Sequence, residues 1–95
     1  MLLIVCRYIV YKENNKDMPK SLIFIGLRVK NQRNFLGISQ EELAERTSLD
    51  RTYISLLERG KRNPSLLTLI KVAKGLETSV STLTKDIEEI GFAPE

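Results

Sequence analysis

The side chains best suited to chemistry in this 95-residue chain lie in the central stretch RTYISLLE. Read at helical spacing, this stretch turns Ile54 and Leu57 inward and leaves Arg51, Thr52 and Ser55 outside. A guanidinium offers a fork of N–H donors, and the two hydroxyls can both donate and accept hydrogen bonds. The set is suited to recognising a polar surface by hydrogen bonding.

Covalent and metal chemistry have little support in the composition. The chain contains no histidine and a single cysteine, Cys6. It therefore lacks the usual general base and the usual zinc ligands, and it cannot form an internal disulfide. We predict a protein that is not an enzyme and that has neither a metal site nor a cofactor.

Charge is distributed unevenly along the chain. Residues 20–74 hold eleven Lys or Arg against five Asp or Glu, whereas residues 75–95 hold one Lys against five acids. A polyanion is attracted to the first region and not to the second, so the pattern favours a nucleic-acid partner. The apolar start has no basic residues before it, lacks a cleavage site and is too short to span a bilayer. We expect a soluble, cytoplasmic protein with no membrane partner.

Helical patterns with clear start and stop signals cover the chain after Pro19. Ser39 is the predicted N-cap of a second helix, with Glu42 reaching back in a capping box and with Ile38 and Leu43 as a hydrophobic staple. Asp50 is expected to cap the third helix. Five helices are predicted: 21–35, 40–47, one from Asp50 to Gly60, 66–74 capped by Ser65 and stopped by Gly75, and 80–90 capped by Ser79.

The N-terminus has a different character. Residues 2–11, LLIVCRYIVY, are rich in β-branched and aromatic types and predict a strand, and a polar linker follows. We divide the chain into an extension, 1–19, and a helical domain, 20–95. A lone strand needs a partner, and one hypothesis pairs it with the same strand of a second subunit. The alternative is a disordered segment ahead of a true start at Met18.

The stretch QEELAERTSLDRTYISLLERGKRNPSLLTLIKVAKGL resembles the phage repressor and Cro-like (XRE-type) helix-turn-helix family, within a likeness that covers about residues 22–90. The resemblance implies an all-α, five-helix lambda-repressor-like DNA-binding domain, here with a short N-terminal β-strand extension. Part of the stretch, LDRTYISLLERGKRNPS, also resembles controller proteins of restriction-modification systems. Two positions depart from the pattern. Ser48 replaces a common glycine, and Gln32 replaces an apolar residue, so Phe35 and Leu36 are expected to fill that part of the core.

The resemblance assigns roles by position, with helix two as a brace and helix three in the major groove. The implied base-contacting residues are Arg51, Thr52, Ser55, Tyr53 and Leu56. The implied phosphate-contacting residues are Gln40, Lys61, Arg62 and Asn63. Arg51 is the first choice for reading guanine, and its alternative is an ion pair with Asp50 or another nearby acid. Packing is an equal alternative for Tyr53, and a solvated basic loop is the alternative for 61–63.

A module of this kind contacts few base pairs, so two recognition helices about 34–36 Å apart are expected on the DNA. This predicts a homodimer on a pseudo-palindromic operator. The predicted dimer interface is Leu83, Ile87 and Ile90. The alternative is that the same side chains pack on the domain's own core.

Two acids on helix two, Glu41 and Glu45, lie where some family members contact RNA polymerase. They are a possible activation patch. The alternative is that first-turn acids meet the helix dipole and that Glu42 and Arg46 form an ordinary ion pair. We predict a sequence-specific transcriptional regulator or repressor that binds double-stranded DNA. The rival is an antitoxin-like protein-interaction module with secondary DNA binding, whose partner would bind residues 1–17 or the last helix.

Overall fold

A computed structural model describes the backbone of residues 19–91 and the side chains of residues 19–89. The predicted N-terminal strand lies outside the described residues. The described elements are all helices: α1 (Lys20–Leu36), α2 (Gln40–Thr47), α3 (Arg51–Glu58), α4 (Leu66–Gly75), α5 (Val80–Leu83) and α6 (Ile87–Gly91). The all-α prediction is confirmed for these residues.

The last predicted helix, 80–90, is divided by a turn into α5 and α6. Arg28 of α1 explains the break, because its Nη1 donates to the carbonyl oxygens of Leu83 at 3.1 Å and Lys85 at 2.6 Å. Asp86 then takes the left-handed conformation, with φ of 57°. The turn faces α1, and α6 packs against α1.

Four side chains cap helix starts as the sequence predicts. Ser39, Asp50, Ser65 and Ser79 each accept a backbone N–H from the first turn of the helix that follows. The carboxylate half of the predicted capping box does not form in this arrangement. Glu42 pairs instead with Arg46, at 3.0 Å between Oε2 and Nη2. The expected i,i+4 ion pair is therefore confirmed.

In the turn between α2 and α3, Ser48, which replaces the common glycine, takes the left-handed conformation with φ of 58°. A non-glycine residue adopts this conformation at some steric cost. Gly75 has a different role from the predicted stop signal. The left-handed residue beyond α4 is Glu77, with φ of 59°. A Cβ on Gly75 would lie 2.7 Å from Thr47 Cγ2, so this glycine permits the close packing of α4 on α2.

The core lies where α1 and α2 pack against α3 and where α4 and α5 close the other side. The small residue Ala44 of α2 is buried in this core. The prediction that Phe35 fills the core is wrong, because Phe35 is 81% exposed. The polar side chain of Gln32 is accommodated at this position by a hydrogen bond, because its Nε2 donates to the Leu76 carbonyl at 3.0 Å. Leu36 does pack against the core.

Candidate nucleic-acid interface

Helix α3 has one buried face and one outward face. Ile54 and Leu57 are fully buried in the core. Arg51 and Thr52 are exposed at the start of the helix, where Asp50 Oδ2 accepts the Thr52 N–H at 2.9 Å. Three further predicted base-contacting residues, Tyr53, Ser55 and Leu56, are half-buried. The exposed hydrogen-bonding groups are therefore concentrated in the first turn.

A buried carboxylate lies behind this surface, and the sequence reasoning missed it. Glu58, in the last turn of α3, is 6% exposed. Its Oε2 accepts from Arg33 Nε at 2.6 Å, and its Oε1 accepts from Arg33 Nη2 at 3.1 Å. One available signal was its spacing, because position 58 follows Ile54 by one helical turn on the inward face. A buried acid needs a charged partner.

Gln40 is tied to the same carboxylate. Its Nε2 donates to Glu58 Oε1 at 3.0 Å, which fixes the first residue of α2 against the last turn of α3. Gln40 is half-buried, so part of its side chain remains available to a ligand. The structure thus brings this predicted phosphate-contacting residue against α3.

The loop after α3 carries the exposed residues Lys61, Arg62 and Asn63. Gly60, with φ of 75°, turns the chain, and the Lys61 N–H returns to the Leu56 carbonyl at 2.9 Å. Pro64, which follows the loop, is buried. The loop is anchored at both ends and presents its polar side chains to solvent.

Tyr53 contacts both the core and the basic loop of residues 61–63. Its side chain packs against the core, as one of the two alternatives predicts. The Arg62 guanidinium carbon lies 5.6 Å from the centre of its ring. A cation at this distance from an aromatic face is attracted by the ring quadrupole. The Tyr53 ring therefore helps to hold the Arg62 side chain in position.

Arg51 forms an ion pair, as the alternative for this residue predicts, but its partner is not Asp50. The Arg51 Nε lies 3.3 Å from Oε2 of Glu41, on α2. Both side chains are more than half exposed, at 58% and 68%. Glu45, the other acid of the predicted activation patch, is also exposed.

The predicted dimer interface needs a correction at Leu83. This residue is 2% exposed and belongs to the domain's own core, because α5 packs it against the cluster formed by the other helices. Ile87 is half-buried and packs against the same cluster. The side chain of Ile90 lies outside those that the structure describes.

Two further features concern residues 19–91. No group of three or more Cys, Asp or Glu side chains in this part of the chain is arranged to hold a metal ion. None of its helices has the length and apolar character needed to cross a membrane.

The sequence of this chain is similar to those of known proteins. A family model described as helix-turn-helix matches residues 29–83. Control protein C.SmaI of Serratia marcescens is 53% identical over 55 residues, which are 58% of this chain and 66% of that protein. Control protein C.MunI of Mycoplasma sp. is 50% identical over 60 residues, which are 63% of this chain and 81% of that protein.

Solved structures share the same fold. The restriction-modification controller protein C.AhdI of Aeromonas hydrophila has a TM-score of 0.64 and 40% identity, covering 65% of this chain and 94% of that one. The C.Esp1396I tetramer, solved with its natural 35 base-pair operator, has a TM-score of 0.64 and 36% identity, covering 73% and 91%. These likenesses confirm the predicted function class, a DNA-binding transcriptional regulator. The chain belongs to the helix-turn-helix family, of the phage repressor and Cro-like (XRE) type.

Proposed function

We propose that this regulator binds a pseudo-palindromic operator in double-stranded DNA as a homodimer, with α3 of each subunit in the major groove. One observation carries the proposal: α3 exposes its first turn and buries its opposite face, and the exposed basic loop reaches that turn where Arg62 lies over the Tyr53 ring. A helix anchored in this way can enter the groove without disturbing the core.

Base contacts belong to the outward face of α3. Arg51 and Thr52 are exposed, and Ser55 follows one turn later with its side chain partly accessible. The two Arg51 Nη groups suit guanine O6 and N7. Tyr53 and Leu56 are more enclosed, so we propose them as edge contacts, with Leu56 suited to a thymine methyl group.

Phosphate contacts belong to the surfaces on either side of α3. Gln40 opens α2, and Lys61, Arg62 and Asn63 follow α3. Contacts to phosphates set the register of the protein on DNA without reading the sequence. The anchored loop and the Glu58 contact to Gln40 support this division of labour.

Assembly on DNA is supported by relatives. C.Esp1396I binds its operator as a tetramer. For this chain we propose a dimer whose interface includes Ile87 and Ile90 of α6, since Leu83 is used in the core. The controller proteins among the relatives also favour a controller of a restriction-modification system acting in the cytoplasm.

Contact with RNA polymerase is a separate proposal, for the case in which the regulator activates transcription. Glu41 and Glu45 are the exposed acids on α2 that would make it. Glu41 already pairs with Arg51, so Glu45 is the freer candidate among the residues that the structure describes.

Selection of bound fragments from a randomised duplex library tests the main proposal. We expect enrichment of a two-fold related site and complexes that hold two protomers, or a multiple of two, by light scattering. Uniform recovery of all sequences would overturn it. Failure to bind DNA, together with recovery of a stoichiometric partner protein in a pull-down, would favour the antitoxin-like alternative instead.

A further inference from the structure

We propose that Glu41 is a specificity-determining residue of this regulator. It acts through Arg51, as a positioning residue, by binding one edge of the guanidinium and so directing the other edge at the DNA. The inference rests on the proposed function, because it assumes that α3 reads base pairs. It assigns Glu41 a role inside the DNA-reading surface, distinct from any contact with RNA polymerase.

The geometry of the pair supports a positioning role. Glu41 Oε2 lies 3.3 Å from Arg51 Nε, the nitrogen nearest the side-chain stem. The closest approach to Glu41 is at Nε and not at the two Nη groups. Those two groups are the fork that pairs with guanine O6 and N7. The acid therefore occupies the edge that guanine does not need.

Both partners stand at fixed helix starts. Ser39 caps α2 and Asp50 caps α3, so the backbones of Glu41 and Arg51 are held in place. Asp50 is the nearer acid in sequence, but its Oδ2 already accepts the Thr52 N–H at 2.9 Å. The acid that pairs with Arg51 is Glu41, from the neighbouring helix.

The start of α2 is also fixed by its contacts with α3 and α1. Gln40 precedes Glu41 and donates to Glu58 at 3.0 Å, and Glu58 is paired with Arg33 of α1. The position of the Glu41 backbone is therefore coupled to the buried ion pair. A carboxylate at this place is also favoured by the dipole of α2.

The positioning role of Glu41 does not depend on a contribution of its ion pair to the stability of the fold. An ion pair with both side chains more than half exposed contributes little to folding. Docking on DNA excludes water, which strengthens the attraction between carboxylate and guanidinium. The acid also faces the phosphates and weakens binding to all DNA. Its benefit lies in selectivity.

The selectivity follows from restricting Arg51. Guanine presents two acceptors to the Nη fork, whereas adenine presents an acceptor and an N6 amino donor. A guanidinium paired with Glu41 at its Nε edge is less free to turn away from the adenine amino group toward a phosphate. We therefore expect Glu41 to increase the penalty for replacing guanine.

The experiment compares Glu41→Gln with Glu45→Gln, a matched change of an exposed acid on the same helix. Dissociation constants are measured on the selected operator, on operators with each base pair replaced, and on random duplex. Glu41→Gln is expected to reduce discrimination about three- to tenfold at the base pair whose recognition Arg51→Ala abolishes. Glu45→Gln is expected to leave discrimination unchanged. In the Arg51→Ala background, Glu41→Gln is expected to have no further effect on discrimination, although loss of its charge still tightens binding to all DNA.

Two results would overturn the inference. One is an equal decrease of the dissociation constants on all DNA for both glutamine variants, with discrimination unchanged. This result would show that Glu41 acts only through its negative charge. The other is a loss of discrimination that persists in the Arg51→Ala background, which would make Glu41 act without Arg51. Failure of the proposed function is distinct, because the unmodified protein would then show no sequence preference.

Discussion

Arg33 and Glu58 form a two-contact ion pair beneath the proposed DNA-reading surface. Arg33 Nε lies 2.6 Å from Glu58 Oε2, and the two side chains are only 12% and 3% exposed. The Arg33 Nη1 also donates to the Ile38 carbonyl at 2.9 Å. With Gln40 on the same carboxylate, one buried acid links α1, the start of α2 and the end of α3.

Replacing Glu58 with alanine tests this link. The change leaves the Arg33 guanidinium largely buried without a compensating charge, a situation that costs about 3 to 5 kcal/mol. Urea titration should show that loss in the free energy of unfolding. Glu45→Ala, on the exposed side of α2, serves as the control and should change stability by less than about 0.5 kcal/mol. A similarly small loss for Glu58→Ala would contradict the role of the pair.

Arg51→Ala should relax sequence preference. Removing the guanidinium removes a bidentate contact, worth about 1 to 3 kcal/mol of discrimination at one base pair. Competition titrations with the selected operator and its single base-pair variants measure this loss. Equal weakening on operator and random DNA would show that Arg51 contacts phosphate instead.

Lys61→Ala should weaken binding to operator and random DNA alike. The exposed lysine adds one phosphate contact, so its removal should lower the slope of log affinity against log salt by about one unit. Lys85→Ala, an exposed lysine in the acidic C-terminal region, is the matched control and should leave the slope unchanged. A selective effect on the operator would place Lys61 among the base-reading residues.

Tyr53→Leu should release Arg62 from its support. The ring attracts the guanidinium by about 0.5 to 1 kcal/mol at an exposed site, so affinity should fall about two- to fivefold on all DNA. Tyr53→Phe keeps the ring and should retain that part of the affinity. Filter binding at fixed salt measures both variants. If the phenylalanine variant loses as much as the leucine variant, the hydroxyl and not the ring is the contributing group.

Leu83→Ala should destabilise the folded subunit, because the side chain fills the core at 2% exposure. Such truncations cost about 2 to 5 kcal/mol. Thermal or urea unfolding measures the loss, and Phe35→Ala at an 81% exposed position is a control expected to change stability little. Unchanged unfolding combined with weaker dimerisation would return Leu83 to the predicted interface.

Local features of the fold were predictable from the sequence. The starts of α2, α3 and α4 follow from caps at Ser39, Asp50 and Ser65, whose side chains bond to amides two or three residues away. The buried face of α3 follows from helical periodicity at Ile54 and Leu57. These relationships depend on short chain separations, so adjacent residues are sufficient to determine them.

Other features depended on packing between distant segments. Arg33 meets Glu58 across 25 positions of the chain, and Arg28 breaks the last helix from 55 positions away. Phe35 and Leu83 are both apolar residues in helical patterns, yet one is exposed and the other buried. Hydrophobicity and spacing specify a face of a helix, but only the arrangement of the other helices decides what covers that face. For the same reason, the sequence predicted Arg51 as the reading residue, whereas only the tertiary structure decided that Glu41 pairs with it.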